Sequence, residues 1–199
     1  MTLRVVTEPT VEPLTLTEAK LHARIDTTAD DTLIESMLIP AARRYAENLT
    51  RRAFVQQTLE LTLPYFEHCI ELPRPPLISV THVKYIDADG VLQTVDAEDY
   101  QIDTYREPGL IKPAYLETWP VVTRSDFNAV QIRYVAGYSP IGSPTDYASG
   151  VPQLLKQWMC VRVAQMYEHR EAIIVGAIVE DLSRDFVDGL LDSLIVDLF

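Results

Sequence analysis

The sequence predicts an α+β fold. It has a helical core with helices near residues 16–25, 31–52 and 151–173, an inserted and mostly antiparallel β domain, and a C-terminal arm or helix. Three observations predict it. Apolar residues recur at helical spacing before residue 53 and again after residue 150. Between those limits the period changes to two, as in Leu59, Leu61 and Leu63 and in Val130, Ile132, Tyr134 and Ala136. Near the C-terminus, Val187, Leu190, Leu191, Leu194, Ile195 and Leu198 fall on one helical stripe. The chain thus reads as four parts of one structural unit: N-terminal arm and helices (1–53), inserted β domain (54–138), loop and long core helix (139–175), and an acidic amphipathic tail (176–199).

The elements follow in order. Thr2 to Glu12 is polar and extended, with Pro9 and Pro13 at its end, and suits an arm or an edge strand. Thr15 and Glu18 form a capping box, which starts the first helix. Asp30 or Asp31 caps the second, which carries Ile34, Met37, Leu38, Ala41, Tyr45 and Leu49 on one face and Glu35, Arg43, Glu47 and Arg51 on the other. Pro40 lies inside it and removes the bond to the Ser36 carbonyl, so a kink or a junction of two helices at Ile39 is expected.

Strands are expected at Leu59–Leu63, Ile70–Leu72, Ile78–Ile86, Val91–Val95, Tyr100–Asp103, Leu110–Lys112 and Val130–Ala136. The apolar phase slips between Val80 and Val83, the mark of a bulge or of burial on both faces. Asp89-Gly90 marks a hairpin turn. Pro152 opens the long helix, whose Leu154, Leu155, Trp158, Met159, Val161, Val163, Met166 and Tyr167 cover most of its circumference. In the tail, Asp188 and Asp192 are expected to turn away from the stripe.

Composition excludes several functions. Seventeen basic against 29 acidic residues gives a net charge of −12, which disfavours broad phosphate-backbone binding. The longest apolar run, Ala172 to Val179, is eight residues and far short of a membrane span. Two cysteines without CxxC or CxxH spacing make neither a zinc knuckle nor an expected disulfide. There is no GxSxG, phosphate-cradling glycine loop or HExxH, and the four histidines are scattered. No catalytic, cofactor-binding or metal-binding set is therefore expected.

Arg43, Arg44, Arg51 and Arg52 are the dense basic sites. They suit an inter-subunit or DNA-channel contact, or a solvated helix face pairing with acids such as Glu47. Tyr100, Tyr105, Tyr115 and Trp119 suit a sugar-stacking platform or sheet packing. An amphipathic chain end without catalytic apparatus points toward an assembly component.

The residues also carry a resemblance. Leu14 to Asp26 is a short helix ending in Arg-Ile-Asp. Asp30 and Asp31 make an acidic gap, and the next helix ends in Tyr45-x-Glu47-x-x-Thr50-x-Arg52. This start resembles tailed-phage head–tail connector, or adaptor, proteins. Leu72 to Val80, Tyr85 to Gly90, Trp119-Pro120, Ala129-Val130, Val135 to Tyr138, Val151-Pro152 and Tyr167 to Glu171 resemble the longer members, which carry a β insertion. The resemblance covers about residues 14–171. Pro40 departs from the small or apolar residue usual there, and the tail after Val175 lies outside the match.

The resemblance implies a non-enzymatic, cofactor-free virion protein at the head–tail junction of a phage or phage-derived particle such as a gene transfer agent, assembled in the host bacterial cytoplasm. It implies a cyclic ring of roughly twelve copies closed head to tail. That ring docks on the portal protein, passes DNA through its lumen without sequence-specific binding, and carries the downstream stopper or tail-completion ring. No membrane is involved. The long helix of one copy against the kinked helix of the next is the expected contact. The stripe of Val187, Leu190, Leu191, Leu194, Ile195 and Leu198 is the expected portal or neighbour interface, or else folds back on its own core. Two other classes stand beside this: a carbohydrate- or surface-binding module using the β-domain aromatics, and a hydrolase assembled from distant residues.

Overall fold

The computed structural model describes residues 1–121, 127–139, 150–170 and 187–196. The architecture is α+β, and the chain divides into two compact units. One holds residues 1–9 and 56–139, and the other residues 10–55 and 140–199. The N-terminal arm therefore goes with the sheets, while the segments before and after the insertion make one helical unit.

In the first unit a five-stranded sheet has the order β1-β2-β8-β4-β5, formed by Thr2–Thr7, Gln57–Leu63, Val130–Ala136, Leu77–Ile86 and Leu92–Val95. The N-terminal strand β1 lies at an edge, paired antiparallel with β2. A second sheet has the order β3-β7-β6, from Ile70–Leu72, Gly109–Pro113 and Tyr100–Asp103. The insertion is thus two small sheets, and every pairing among the described residues is antiparallel.

The alternation works as it should on one face. Leu59, Leu61 and Leu63 and Val130, Ile132, Tyr134 and Ala136 are all buried. The register slips between Val80 and His82, where the apolar phase breaks, and again between Leu77 and Ser79. Gly90 turns the β4–β5 hairpin at φ +81°. Asp87 fixes that turn by accepting from the Asp89 and Val91 amides at 3.0 and 2.9 Å. Gly109 lets β7 approach Leu77 of β4, since a Cβ there would stand 2.5 Å from Leu77 Cδ2.

In the helical unit, α1 spans Leu16–Ala23 behind the predicted capping box, with both reciprocal bonds made at Thr15 and Glu18. It stops at Arg24, which takes a left-handed conformation. The second helical stretch is an α-turn α2 (Asp31–Leu33), a π-helical turn (Ile34–Leu38) and α3 (Ile39–Thr50). The π-turn carries the Ile39 amide to the Ile34 carbonyl just before Pro40, so the proline enters near the start of α3 rather than breaking it. The two helical segments meet at Ile39, as the sequence led one to expect. Helix α4 spans Gln153–Glu168, with Pro152 just ahead of it as cap residue. A 3-10 helix covers Gly189–Leu194. Expected helical residues 171–173 lie outside the described residues.

Candidate assembly surfaces

Helix α3 buries the face that its charges suggested was wet. Ile39, Ala42, Arg43, Ala46, Glu47 and Thr50 of α3 are buried with Ile34 and Leu38 of the preceding π-turn, whereas Met37 of that turn and Tyr45 are exposed. Arg43 is therefore no channel contact in this fold. It is 2% exposed and donates to Glu47 Oε2 and Glu12 Oε2, both at 2.8 Å. The other Glu47 oxygen accepts the Phe54 amide at 3.0 Å. A buried carboxylate thus holds together α3, the segment before α1 and the chain leaving α3. An i,i+4 ion pair reads as a solvated face in sequence, and packing alone reverses that reading.

The remaining arginines differ from one another. Arg44 and Arg51 are exposed, the latter closing α3 at φ 58°. Arg52 donates from Nε to the Leu194 carbonyl at 2.5 Å.

That bond belongs to the C-terminal segment, which folds back on its own unit. Val196 N–H donates to the Thr50 carbonyl at 3.0 Å, satisfying one of the acceptors left at the end of α3. Val187 and Leu191 are buried, Leu190 and Leu194 half-buried, and Ile195 exposed; Leu198 lies outside the described residues. Val187 and Leu191 of the stripe are thus packed into their own unit, while Ile195 stays at its surface. Asp192 is exposed, but Asp188 turns inward. It accepts from Trp158 Nε1 at 3.1 Å and from Arg162 Nη2 at 2.8 Å. Arg162 also lies over the rings of Tyr45 and Trp158, at 5.6 and 5.3 Å from their centroids, and those rings stack at 5.7 Å. Arg162 and Asp188 were not legible as partners, because they stand 26 positions apart in sequence with no local pattern to join them.

Helices α3 and α4 pack on each other within one subunit, so each covers part of the surface that the sequence reading offered to a neighbour. Between them lies a cleft of about 410 Å³ lined by Ala41, Tyr45, Trp158, Arg162, Met166 and His169. Across α4, Lys156 Nζ holds Glu18 Oε1 at 2.6 Å. Burial alone would raise the Glu18 pKa, but the bonds from Lys156 and Thr15 hold it below the ordinary value.

The β-domain aromatics do not form one row. Trp119 stacks on Phe66 at 4.7 Å and 7°, and donates to the His68 carbonyl. Tyr100 lies 6.4 Å from Trp119. Tyr105 and Tyr115 are 99% and 84% exposed. They flank opposite ends of β7, a span on the order of 17 Å, so they do not offer adjacent stacking faces.

The polar face of the five-stranded sheet carries a rung that crosses four strands. Arg4 opposes Glu60, Glu60 opposes Arg133, and Arg133 opposes His82. Glu60 is only 2% exposed, because two guanidiniums cover it. Arg133 donates to its Oε2 from Nε at 3.0 Å and Nη2 at 2.6 Å, and Arg4 pairs with its Oε1. Burial pushes the Glu60 pKa up, but these bonds and charges outweigh it and hold the carboxyl below its ordinary value. Burial first, and then the charges of Lys84 and Arg133, depress the His82 imidazole, with Glu60 pulling the other way. Strand alternation set Glu60 and Arg133 on one face, but nothing in the sequence paired their strands.

Among the described residues no group of three or more His, Cys, Asp or Glu is placed to hold a metal ion, and no helix is long and apolar enough to cross a membrane.

Residues 13–106 match the family described as phage gp6-like head-tail connector protein. No curated protein matches the chain. Among solved structures, a chain of the neck of an empty GTA particle, computed with C6 symmetry, is 26% identical. The match covers 100% of this chain and 98% of that one, with a TM-score of 0.75. A chain of the virion of a native gene transfer agent particle is 24% identical at TM-score 0.75, and one from the native GTA neck computed with C12 symmetry is 24% identical at 0.72. Both matches cover 100% of this chain and 98% of the other. Residues 13–106 thus bear the likeness to phage head–tail connectors that the sequence suggested, and the fold is similar to that of a gene transfer agent neck chain.

Proposed function

We propose that this chain is a structural subunit of a closed ring at the head–tail junction of a tailed phage or gene transfer particle. The ring sits on the portal, continues the DNA channel and carries the next tail-completion ring. It works by contact, with no bond made or broken. The observation that carries this reading is the end-to-end likeness to a GTA neck chain, 26% identical over 98% of that chain. The match of residues 13–106 to the connector family supports it independently. A ring lumen lined by a protein of charge −12 repels DNA and eases its passage.

The portal contact is proposed without release of the C-terminal stripe. Detaching Val187 and Leu191 from their core costs about 1.5–3 kcal/mol for each side chain. Particles made without this chain provide the test. DNA-filled heads and separate tails are the expected products. Intact tailed particles in its absence would overturn the proposal.

A further inference from the structure

We propose that the polar face of the five-stranded sheet docks the acidic stretch 87–107 of a second copy of this chain. The inference rests on the ring reading and adds which surfaces meet. Among the described residues of the face itself, Arg4, Arg133 and Lys84 carry three permanent positive charges against Glu60 alone. Glu60 is spent on the two arginines, and it orients them while leaving their outer sides open, with side-chain exposures of 64% for Arg4 and 33% for Arg133. Thr58, Thr62 and Gln131 flank the rung on the same face. This basic surface belongs to a chain of net charge −12.

The complement lies in the same unit. Residues 87–107 hold Asp87, Asp89, Asp96, Glu98, Asp99, Asp103 and Glu107 against Arg106 alone. They occupy the β4–β5 turn, the turn after β5, and β6 with the loop behind it. Strand order sets the Arg4 end of the basic face apart from the acidic stretch, whereas Lys84 on β4 pairs with Thr94 of β5 beside it. Arg4 stands on edge strand β1, whereas the acids begin at the opposite edge, beyond β5. Four strand spacings amount to about 19 Å, more than twice the screening length of about 8 Å at physiological salt.

Arg4 is therefore not neutralised by its own acidic edge, and two different patches of one surface complement each other between copies. That is the requirement for a head-to-tail contact. Copies that repel through their net charge need such local complementarity to set register.

Charge reversal tests this. One variant carries Arg4→Glu and Lys84→Glu, and the other Asp96→Lys and Glu98→Lys. Each alone should lose ring assembly about tenfold or more, because its reversed surface repels every neighbour. An equimolar mixture should regain it, since an alternating ring restores every contact. Lys84→Glu alone leaves the Arg4–Glu60–Arg133 pairs in place and should show a smaller loss, which separates docking from misfolding.

Rings that form from both variants separately, or variants that fold but are not rescued by mixing, would overturn the proposal. So would rings that persist while the first variant loses DNA, which would assign the face to nucleic acid. If the unaltered chain forms no ring with or without portal, the ring reading itself fails and takes this inference with it.

Discussion

Glu47→Ala should be the most damaging single truncation of a charged side chain in the helical unit. Glu47 accepts from Arg43 and from the Phe54 amide in an environment where both charged partners are almost fully buried. Removing one member of a buried pair costs about 3–5 kcal/mol, and an amide left without its acceptor about 1–3 kcal/mol. Arg43 keeps its bond to Glu12, which moves the total to the low side. We expect about 4 kcal/mol, out of the 5–15 kcal/mol typical of a domain. At roughly 2–4 °C per kcal/mol for a chain of this size, the melting temperature should fall by about 8–16 °C.

Urea unfolding followed by circular dichroism at neutral pH reads this directly. Arg43→Met with Glu47→Leu should recover most of the loss, because no charge is then left buried alone. A Glu47→Ala stability within about 1 kcal/mol of the parent would mean that the pair contributes no more than a surface one. A double variant no better than the single would refute a charge left buried alone as the cause.

Three further outcomes follow from the same structure. Gly109→Ala drives a Cβ to 2.5 and 2.7 Å from Leu77 Cδ2 and Cβ, and should cost about 1–3 kcal/mol. Leu77→Ala in the same chain should return part of it, as read by thermal melts. Leu191→Ala should cost about 2–5 kcal/mol in the isolated chain, because Leu191 is fully buried there; an unchanged melt would restore the stripe to a docking role. The depressed pKa of Glu60 means the native state binds its proton less readily than the unfolded chain. Its stabilising contribution is therefore present above the unfolded value of about 4.3 and lost as pH falls through the lower folded value. Urea midpoints measured downward from pH 6 should fall more steeply for the parent than for Glu60→Gln.

Much of the fold was legible because its signals are local. The Thr15–Glu18 box, the Asp89-Gly90 turn and the alternation in β2 and β8 each depend on a few neighbouring residues. Pro40 was legible as an interruption, though not as a π-turn, since that choice depends on what the flanking turns pack against. The misreadings share one cause. Arg43 and Glu47 look solvated, and Met37 and Tyr45 look buried, until α4 and Glu12 fix which side of α3 faces inward. Asp188 looks turned away until Trp158 and Arg162 reach it. The charged rung on the sheet needs the order β1-β2-β8-β4, which joins residues 4, 60, 133 and 82 and leaves no local trace.

The proposed role is that of one member of a closed ring on the portal. Averaged electron-microscope images of the purified chain mixed with its portal test it most directly. The predicted result is an added closed ring, coaxial with the portal and rotationally symmetric. Portals that remain bare, with the chain monomeric at micromolar concentration, would contradict it.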